Sequence, residues 1–118
     1  MFYIDENDQV YLSVGDTAAF TITATGHTFE QEDRALFTVK DASGEVVLER
    51  IYELDGGIFT VQLANADTDY LAPGRYTWDV RYVLTPYYDD KGRIISGDQV
   101  ITPKLALALN LLPTVGEV

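Results

Sequence analysis

Cysteine is missing from this chain of 118 residues, which excludes a disulfide framework, a thiol nucleophile and a thiolate metal site. Histidine occurs once, as His27, and serine only as Ser13, Ser43 and Ser96. A Ser-His-Asp triad and a zinc or copper site therefore both lack partners. We interpret His27 as a surface-loop histidine, and the sequence predicts no catalytic residue, metal site or cofactor.

Basic residues are also few, with 8 Lys and Arg against 19 Asp and Glu, for a formal net charge of -11. A chain with this charge is repelled by the phosphate backbone that dominates nucleic-acid affinity and by anionic membrane surfaces. Nucleic acid is therefore not an expected partner. The acids are spread through polar turns, which indicates a solvated surface that favours solubility.

Long hydrophobic runs are absent, since no window approaches about 18 consecutive apolar residues. The amino terminus, "MFYIDENDQV", has neither the basic start nor the apolar run of a signal peptide. We therefore expect no membrane insertion and a product that stays in the cytoplasm unless an assembly carries it out. Length and an apolar fraction of 47% predict one globular domain over residues 1–118, with 113–118 as a candidate loose tail.

Alternation of apolar and polar residues recurs along most of the chain and predicts β-strands, because successive side chains on a strand point to opposite faces. Hairpin signals containing Asp and Gly separate several of these segments, as in "DASG", "DGG" and "YYDDKGR". The predicted strands lie in residues 9–14, 17–26, 34–41, 45–54, 58–64, 74–86, 94–102 and 104–113. In the strand at 94–102 we expect a bulge at Gly97.

The last segment, "KLALALNLLP", is apolar enough for a helix, but its alternation and the flanking Pro103 and Pro113 favour a strand. Seven to eight short strands without a convincing amphipathic helix predict an all-β protein. An antiparallel immunoglobulin-like β-sandwich is the first choice of architecture, and a small barrel or jelly roll is the alternative.

Carboxylate pairs are the remaining candidates for chemistry. Asp67 with Asp69, and Asp89 with Asp90, could serve acid-base work on a sugar, but such work needs one buried acid with a raised pKa, and both pairs lie in solvated turns. Calcium is the better metal for oxygen ligands, yet neither turn continues into a twelve-residue loop with a closing Glu. We interpret both pairs as turn residues.

Two groups of residues are candidates for a binding surface. Tyr87 and Tyr88, beside an acidic turn, suit a sugar platform or a protein contact, or else they cover the end of the sandwich. The terminal strand has little charge to block edge pairing, and its small residues suit close contact with another sheet. The strand is therefore either a packing interface or a plain core strand, and the candidate interface residues are Leu105, Ala106, Leu107, Ala108, Leu109 and Asn110.

The stretch "ADTDYLAPGRYTWDVRY" is interpreted as architecture. Asp67 is expected to cap a short helical turn, and Pro73 and Gly74 to reverse the chain before a long strand. Tyr76 then begins that strand, on which Trp78 is predicted to be among the most buried residues. The arrangement resembles the tyrosine corner of immunoglobulin-like sandwiches.

The turn series as a whole resembles small phage and prophage proteins of immunoglobulin-like fold, above all the amino-terminal domain of phage baseplate upper proteins. Three motifs match in order: Gly15-Asp16-Thr17 opening a strand, Ser43-Gly44 in a hairpin, and Pro73-Gly74-Arg75-Tyr76 leading a strand near the far end. The resemblance covers roughly residues 14–82. It implies a structural, self-associating role without catalytic residues.

The sequence thus predicts a non-enzymatic structural or assembly protein of a phage or prophage particle, in its tail, baseplate or head surface. Its expected partners are other virion proteins and itself, bound through sheet edges and end loops. The expected location is the cytoplasm of the producing bacterium and then the virion. The alternative is a carbohydrate-binding or cell-surface adhesion module, assisted by calcium or not, and an enzyme is the third hypothesis.

Overall fold

The computed structural model describes residues 2–24, 28–101 and 107–113. Of the described residues, 58% lie in strands and 4% in a helix, which confirms the all-β class. One short helix lies in the described part of the chain, α1 (Asn65–Thr68). The strands are β1 (Phe2–Ile4), β2 (Val10–Ser13), β3 (Ala18–Thr23), β4 (Arg34–Lys40), β5 (Val46–Glu53), β6 (Ile58–Leu63), β7 (Gly74–Leu84), β8 (Tyr87–Tyr88), β9 (Ile94–Ser96), β10 (Gln99–Ile101) and β11 (Leu107–Leu112).

The larger sheet has the strand order β1-β2-β11-β7-β4-β5. Its neighbours are antiparallel except for β2 and β11, which run parallel with Leu109 opposite Val10. Strand β7 is the longest, with β4 along one side. Along its other side β11 pairs with the first half and β10 with the last three residues.

A second antiparallel sheet consists of β3 and β6, and its inward side chains meet those of the larger sheet. Phe20 lies edge-on to Trp78 with ring centres 5.9 Å apart, and Phe59 lies edge-on to Tyr82 at 6.1 Å. Each large apolar side chain buried in this way contributes about 1.5–3 kcal/mol. The core cluster between the two sheets contains Val10, Leu12, Ala18, Ala35, Phe37, Val39, Leu48, Phe59, Val61, Leu63, Tyr76, Trp78, Val80, Tyr82, Leu109 and Leu111.

Three hairpins are closed by one kind of five-residue loop that begins with an aspartate. The loops start at Asp5, Asp41 and Asp89, and in each the carboxylate accepts the main-chain N–H groups two and four residues later at 2.8–3.0 Å. The fourth loop residue has a positive φ, which glycine adopts freely at positions 44 and 92 and which Asp8 adopts at 63°. These acids therefore set hairpin registers in addition to solvating the surface.

The chain contains more strands than expected because β1 and β8 were not predicted and the segment 94–102 divides. We expected one strand with a bulge at Gly97, but β9 pairs with β8 whereas β10 pairs with β7. At the division the Asp98 N–H donates to the Leu84 carbonyl at 2.8 Å, and a Cβ on Gly97 would lie 2.9 Å from that same oxygen. This close approach of two main chains requires glycine.

Candidate functional site

The turn at Asp67 is a structural site. Asp67 lies in the first turn of α1, and its Oδ2 accepts the Ala64 N–H at 2.8 Å while its Oδ1 pairs with the Arg50 guanidinium of β5. Its neighbour Thr68 is fully buried, and the Thr68 hydroxyl accepts the Gly15 N–H at 3.0 Å. The sequence analysis did not identify Thr68, because nothing in "DTD" indicates that its threonine is buried and links α1 to the turn after β2.

Tyr76 and Trp78 are both buried on the inner face of β7. The Tyr76 hydroxyl donates to the Ala72 carbonyl at 2.8 Å, so the side chain holds the reversal through Pro73 and Gly74 in place. The hydrogen bond runs from a tyrosine near the start of a strand to the main chain just upstream, which is the geometry of a tyrosine corner.

Four residues of the candidate interface on the terminal strand, Leu107–Asn110, lie in β11. Strand β11 pairs with β7 along Leu107–Leu111 and with β2 along Leu109–Leu112, so Leu109 and Asn110 have no free edge, and Ala108 and Leu109 are buried. Alternation had predicted the faces of this strand, but it holds no information on the parallel pairing with β2. Leu105, Ala106 and the surface-loop position His27 lie outside the described residues.

Tyr87 and Tyr88 form β8, in a hairpin with β9 that pairs with neither main sheet. Tyr87 is 55% exposed and Tyr88 44%, and Ile95 in β9 is 65% exposed. A two-stranded hairpin with apolar side chains in water is only marginally stable by itself. The hairpin presents three exposed large apolar side chains, Tyr87, Tyr88 and Ile95.

The carboxylate of Asp89, next to these tyrosines, holds the hairpin loop together. Asp89 accepts the Lys91 and Arg93 N–H groups and pairs with the Arg93 guanidinium at 3.1 Å. The hydrogen bond from the Arg93 N–H is the main cause of a lowered Asp89 pKa, and the Ser43 hydroxyl plays the leading part in lowering the pKa of Asp41 in its loop. Over residues 2–24, 28–101 and 107–113, no three acidic or histidine side chains converge as a metal site.

Open strand edges are the other candidate binding surface. The larger sheet ends in β1 and β5, and the smaller sheet consists of β3 and β6 only, so each of these four strands has one side without a partner strand among the described residues. An open edge presents main-chain N–H and C=O groups to other chains. Natural proteins block such edges with charges, short strands, bulges, proline or a covering segment, and the four edges differ in this respect.

Strand β5 is blocked by charge and by a covering segment. Glu49, Arg50 and Glu53 lie along it, and the Tyr70 hydroxyl, from the segment after α1, donates to the Val47 carbonyl. The ion pair between Arg50 and α1 crosses the same edge. A further strand could therefore pair with β5 only by displacing these contacts.

Strands β1 and β6 are also protected in part. Strand β1 has three residues and is followed directly by an acidic loop. On β6, the Gln62 N–H lies 3.4 Å from the Tyr52 hydroxyl of β5, which occupies one of the groups on the open side of the strand. Both edges are poor templates for a long pairing.

In the part of the chain that the structure describes, strand β3 has none of these devices. Its six residues, "AAFTIT", include no charge and no proline, and its pairing with β6 is continuous without a bulge. The Ala24 N–H donates to the Gly57 carbonyl at 2.8 Å, and in an antiparallel pair every second residue is bonded in this way. The main-chain groups of Ala19, Thr21 and Thr23 therefore point to the open side of β3.

The described residues include no helix long and apolar enough to cross a membrane. No protein-family model matches the chain, and a search of curated proteins finds no match.

Proposed function

We propose that this chain is a non-enzymatic structural or assembly protein of a phage or prophage particle. It is an immunoglobulin-like β-sandwich that binds other virion subunits through a strand edge and through its end loops. The unblocked edge of β3 is the observation that carries the proposal, because β-strand addition supplies affinity through main-chain hydrogen bonds without any dedicated pocket.

The immunoglobulin-like architecture is supported by topology and by one side-chain contact. The short strand β2 near the amino terminus pairs in parallel with the last strand β11, and across the sheet β11 is antiparallel to β7 and β7 is antiparallel to β4. The Tyr76 hydroxyl bonded to the Ala72 carbonyl adds the tyrosine corner. The virion setting is supported by the matching turn motifs around Gly15, Ser43 and Pro73.

The acidic surface suits an assembly subunit that must remain dispersed before it is incorporated. A net charge of -11 disfavours contacts between acidic surfaces of the free protein, while an uncharged docking strand lets a specific contact form. Catalysis has no part in this proposal.

Particle association is the decisive experiment. The chain, carrying a small tag after its last residue, is expressed in the bacterium that produces the particles, and the particles are purified through a density gradient. We expect the chain to band with intact particles and Thr21→Lys to be depleted from them, while Thr60→Lys, the same change on β6, is incorporated normally. A wild-type chain found only in the soluble fraction would contradict the proposal.

Carbohydrate binding is the second candidate, favoured by the exposure of both Tyr87 and Tyr88 on the β8-β9 hairpin. A glycan array with the wild type and with Tyr87→Ala tests it. Binding that disappears in the variant supports this function, and no binding to any glycan rejects it. A calcium-dependent rise in the melting temperature would support the calcium-assisted form.

A further inference from the structure

The sequence of β3 allows two copies of the strand to pair with each other along their open sides. If two copies of the strand pair in antiparallel orientation about Thr21, Ala19 faces Thr23 of the other copy and Thr21 faces Thr21. The residues between them then place Phe20 opposite Ile22, twice. Aromatic residues opposite β-branched ones and threonine opposite threonine are favourable cross-strand pairs.

The main-chain groups allow this register. Those of Ala19, Thr21 and Thr23 point to the open side, and these are the residues that meet as hydrogen-bonded pairs when Thr21 lies on the two-fold axis. Three such pairs give about six main-chain hydrogen bonds. A shift of the register by one residue would place outward groups opposite inward ones and lose these bonds.

Charge favours a second copy at this surface. The exposed face of the small sheet carries no charged side chain, although the chain has a net charge of -11. Its exposed residues within β3 and β6 are Ala19, Thr21, Thr23, Ile58, Thr60 and Gln62. Two copies can therefore approach through β3 without bringing acids together, whereas approach through an acidic loop is repulsive.

Pairing would also bury apolar side chains of β3 that are only partly covered in the monomer. Phe20 and Ile22 pack on the core but are only partly buried, and Phe2 stacks on Phe20 with ring centres 6.0 Å apart. A second β3 would cover their open flank and turn two two-stranded sheets into one of four strands, with the order β6-β3-β3-β6. The Thr21 and Thr60 hydroxyls, 3.2 Å apart within one copy, would become half of a four-threonine row across that sheet.

We propose that this chain forms a two-fold symmetric dimer by antiparallel pairing of β3 with β3 of a second copy, with Thr21 on the axis. The inference deepens the proposed function, since it names the occupant of the docking edge. The contact is isologous, so it closes at two copies and leaves the β8-β9 hairpins free for other subunits.

Sedimentation equilibrium of the purified full chain, from micromolar to near-millimolar concentration, tests the dimer. We expect reversible dimerisation, with Thr21→Lys raising the dissociation constant by about tenfold or more because two lysines meet on the axis. Thr60→Lys is the matched control, since Thr60 is also an exposed threonine on the same face but lies on β6, away from the open side of β3, and this variant should dimerise as the wild type does. Melting curves of both variants check that each remains folded.

Cross-linking locates the axis. Because the chain has no cysteine, Thr21→Cys introduces a single thiol, and hydrogen-bonded antiparallel partners lie about 5.5 Å apart between Cα atoms, within disulfide range. We expect Thr21→Cys to form a covalent dimer on mild oxidation and Thr60→Cys to remain uncross-linked. Dimers lost equally in Thr21→Lys and Thr60→Lys would overturn edge pairing in favour of face-to-face packing.

The outcomes separate this inference from the proposed function. A wild-type chain that is strictly monomeric at every concentration but still bands with particles refutes the β3 dimer and leaves the assembly role intact. A chain that dimerises through Thr21 but never accompanies particles refutes the assembly role and leaves the dimer intact.

Discussion

Replacing Asp67 by alanine should destabilise the fold without affecting any binding activity. The carboxylate loses the Ala64 N–H, and the loss of such a capping acceptor costs about 1 kcal/mol. It also loses the Arg50 guanidinium, and exposed ion pairs contribute about 0.2–1 kcal/mol. Because the Arg50 side chain is 44% exposed, the lower half of that range applies, and the total is about 1.5 kcal/mol.

Urea unfolding followed by fluorescence measures this change directly, because Trp78 is the single tryptophan of the chain and is buried between the sheets. In thermal unfolding the same loss corresponds to a melting temperature lowered by about 5 °C. Asp67→Asn keeps an oxygen that can accept the Ala64 N–H and should lose only about a third as much.

Asp69→Ala is the matched control, since Asp69 is an exposed acid two residues further along the same turn. Removing one acid from a chain of charge -11 relieves repulsion slightly, so this variant should be neutral or marginally more stable. Equal losses from Asp67→Ala and Asp69→Ala would refute the capping argument. A fully stable Asp67→Ala that no longer bound its partner would return a chemical role to this carboxylate.

Three further predictions concern the turns. Tyr76→Phe removes one hydroxyl hydrogen bond and should lower the free energy of unfolding by about 1 kcal/mol in urea titrations, with the position of β7 in the sheet unchanged. Gly97→Ala should cost about 1–3 kcal/mol by calorimetry, because the added methyl group meets the Val83 side chain and the main chain beside it. Folding lowers the pKa of Asp41 and of Asp89, so each ionised carboxylate stabilises its loop fully above the ordinary pKa of 3.8. This stabilisation is lost as the pH falls through the lower pKa of the folded state. Amide NMR of the two hairpins should detect the loss. No change in those amides on acidification would contradict the third prediction, as wild-type stability would contradict the first two.

The local sequence pattern is sufficient to predict which face of a strand is buried and where the hairpin turns lie, but not which strands are neighbours in a sheet. Alternation predicted the buried sides of β4 and β6 correctly, because burial of one face follows directly from a period of two. The hairpin at Asp55 is equally predictable from the sequence, since Gly56 and Gly57 supply the two positive φ values of a tight turn. Pairing between distant strands leaves no such local trace.

The candidate interface shows the same limit. The terminal strand is expected to be an edge because it carries little charge, but β2 pairs with its last four residues, and the longest uncharged strands that do lie at an edge are β3 and β6. The sequence "AAFTIT" shows the absence of blocking residues, yet only the sheet order reveals that this strand has an open side. Asp5 and Asp8 were likewise taken for solvating acids, because a loop with an aspartate at positive φ lacks the usual glycine.

The parallel pairing of β2 with β11 also determines when folding can finish. The Asn110 amide donates to the Val10 carbonyl at 3.4 Å across 100 positions of the chain, whereas each aspartate loop closes over five residues. Short hairpins form within about 1–10 μs, but joining distant segments carries a larger loop-closure entropy. During synthesis the hairpins can therefore form as they emerge, while β2 waits for residues 107–112 to leave the ribosome. Until then the larger sheet is open along β2 and β7, and the nascent chain carries more unpaired edge than the finished protein ever does.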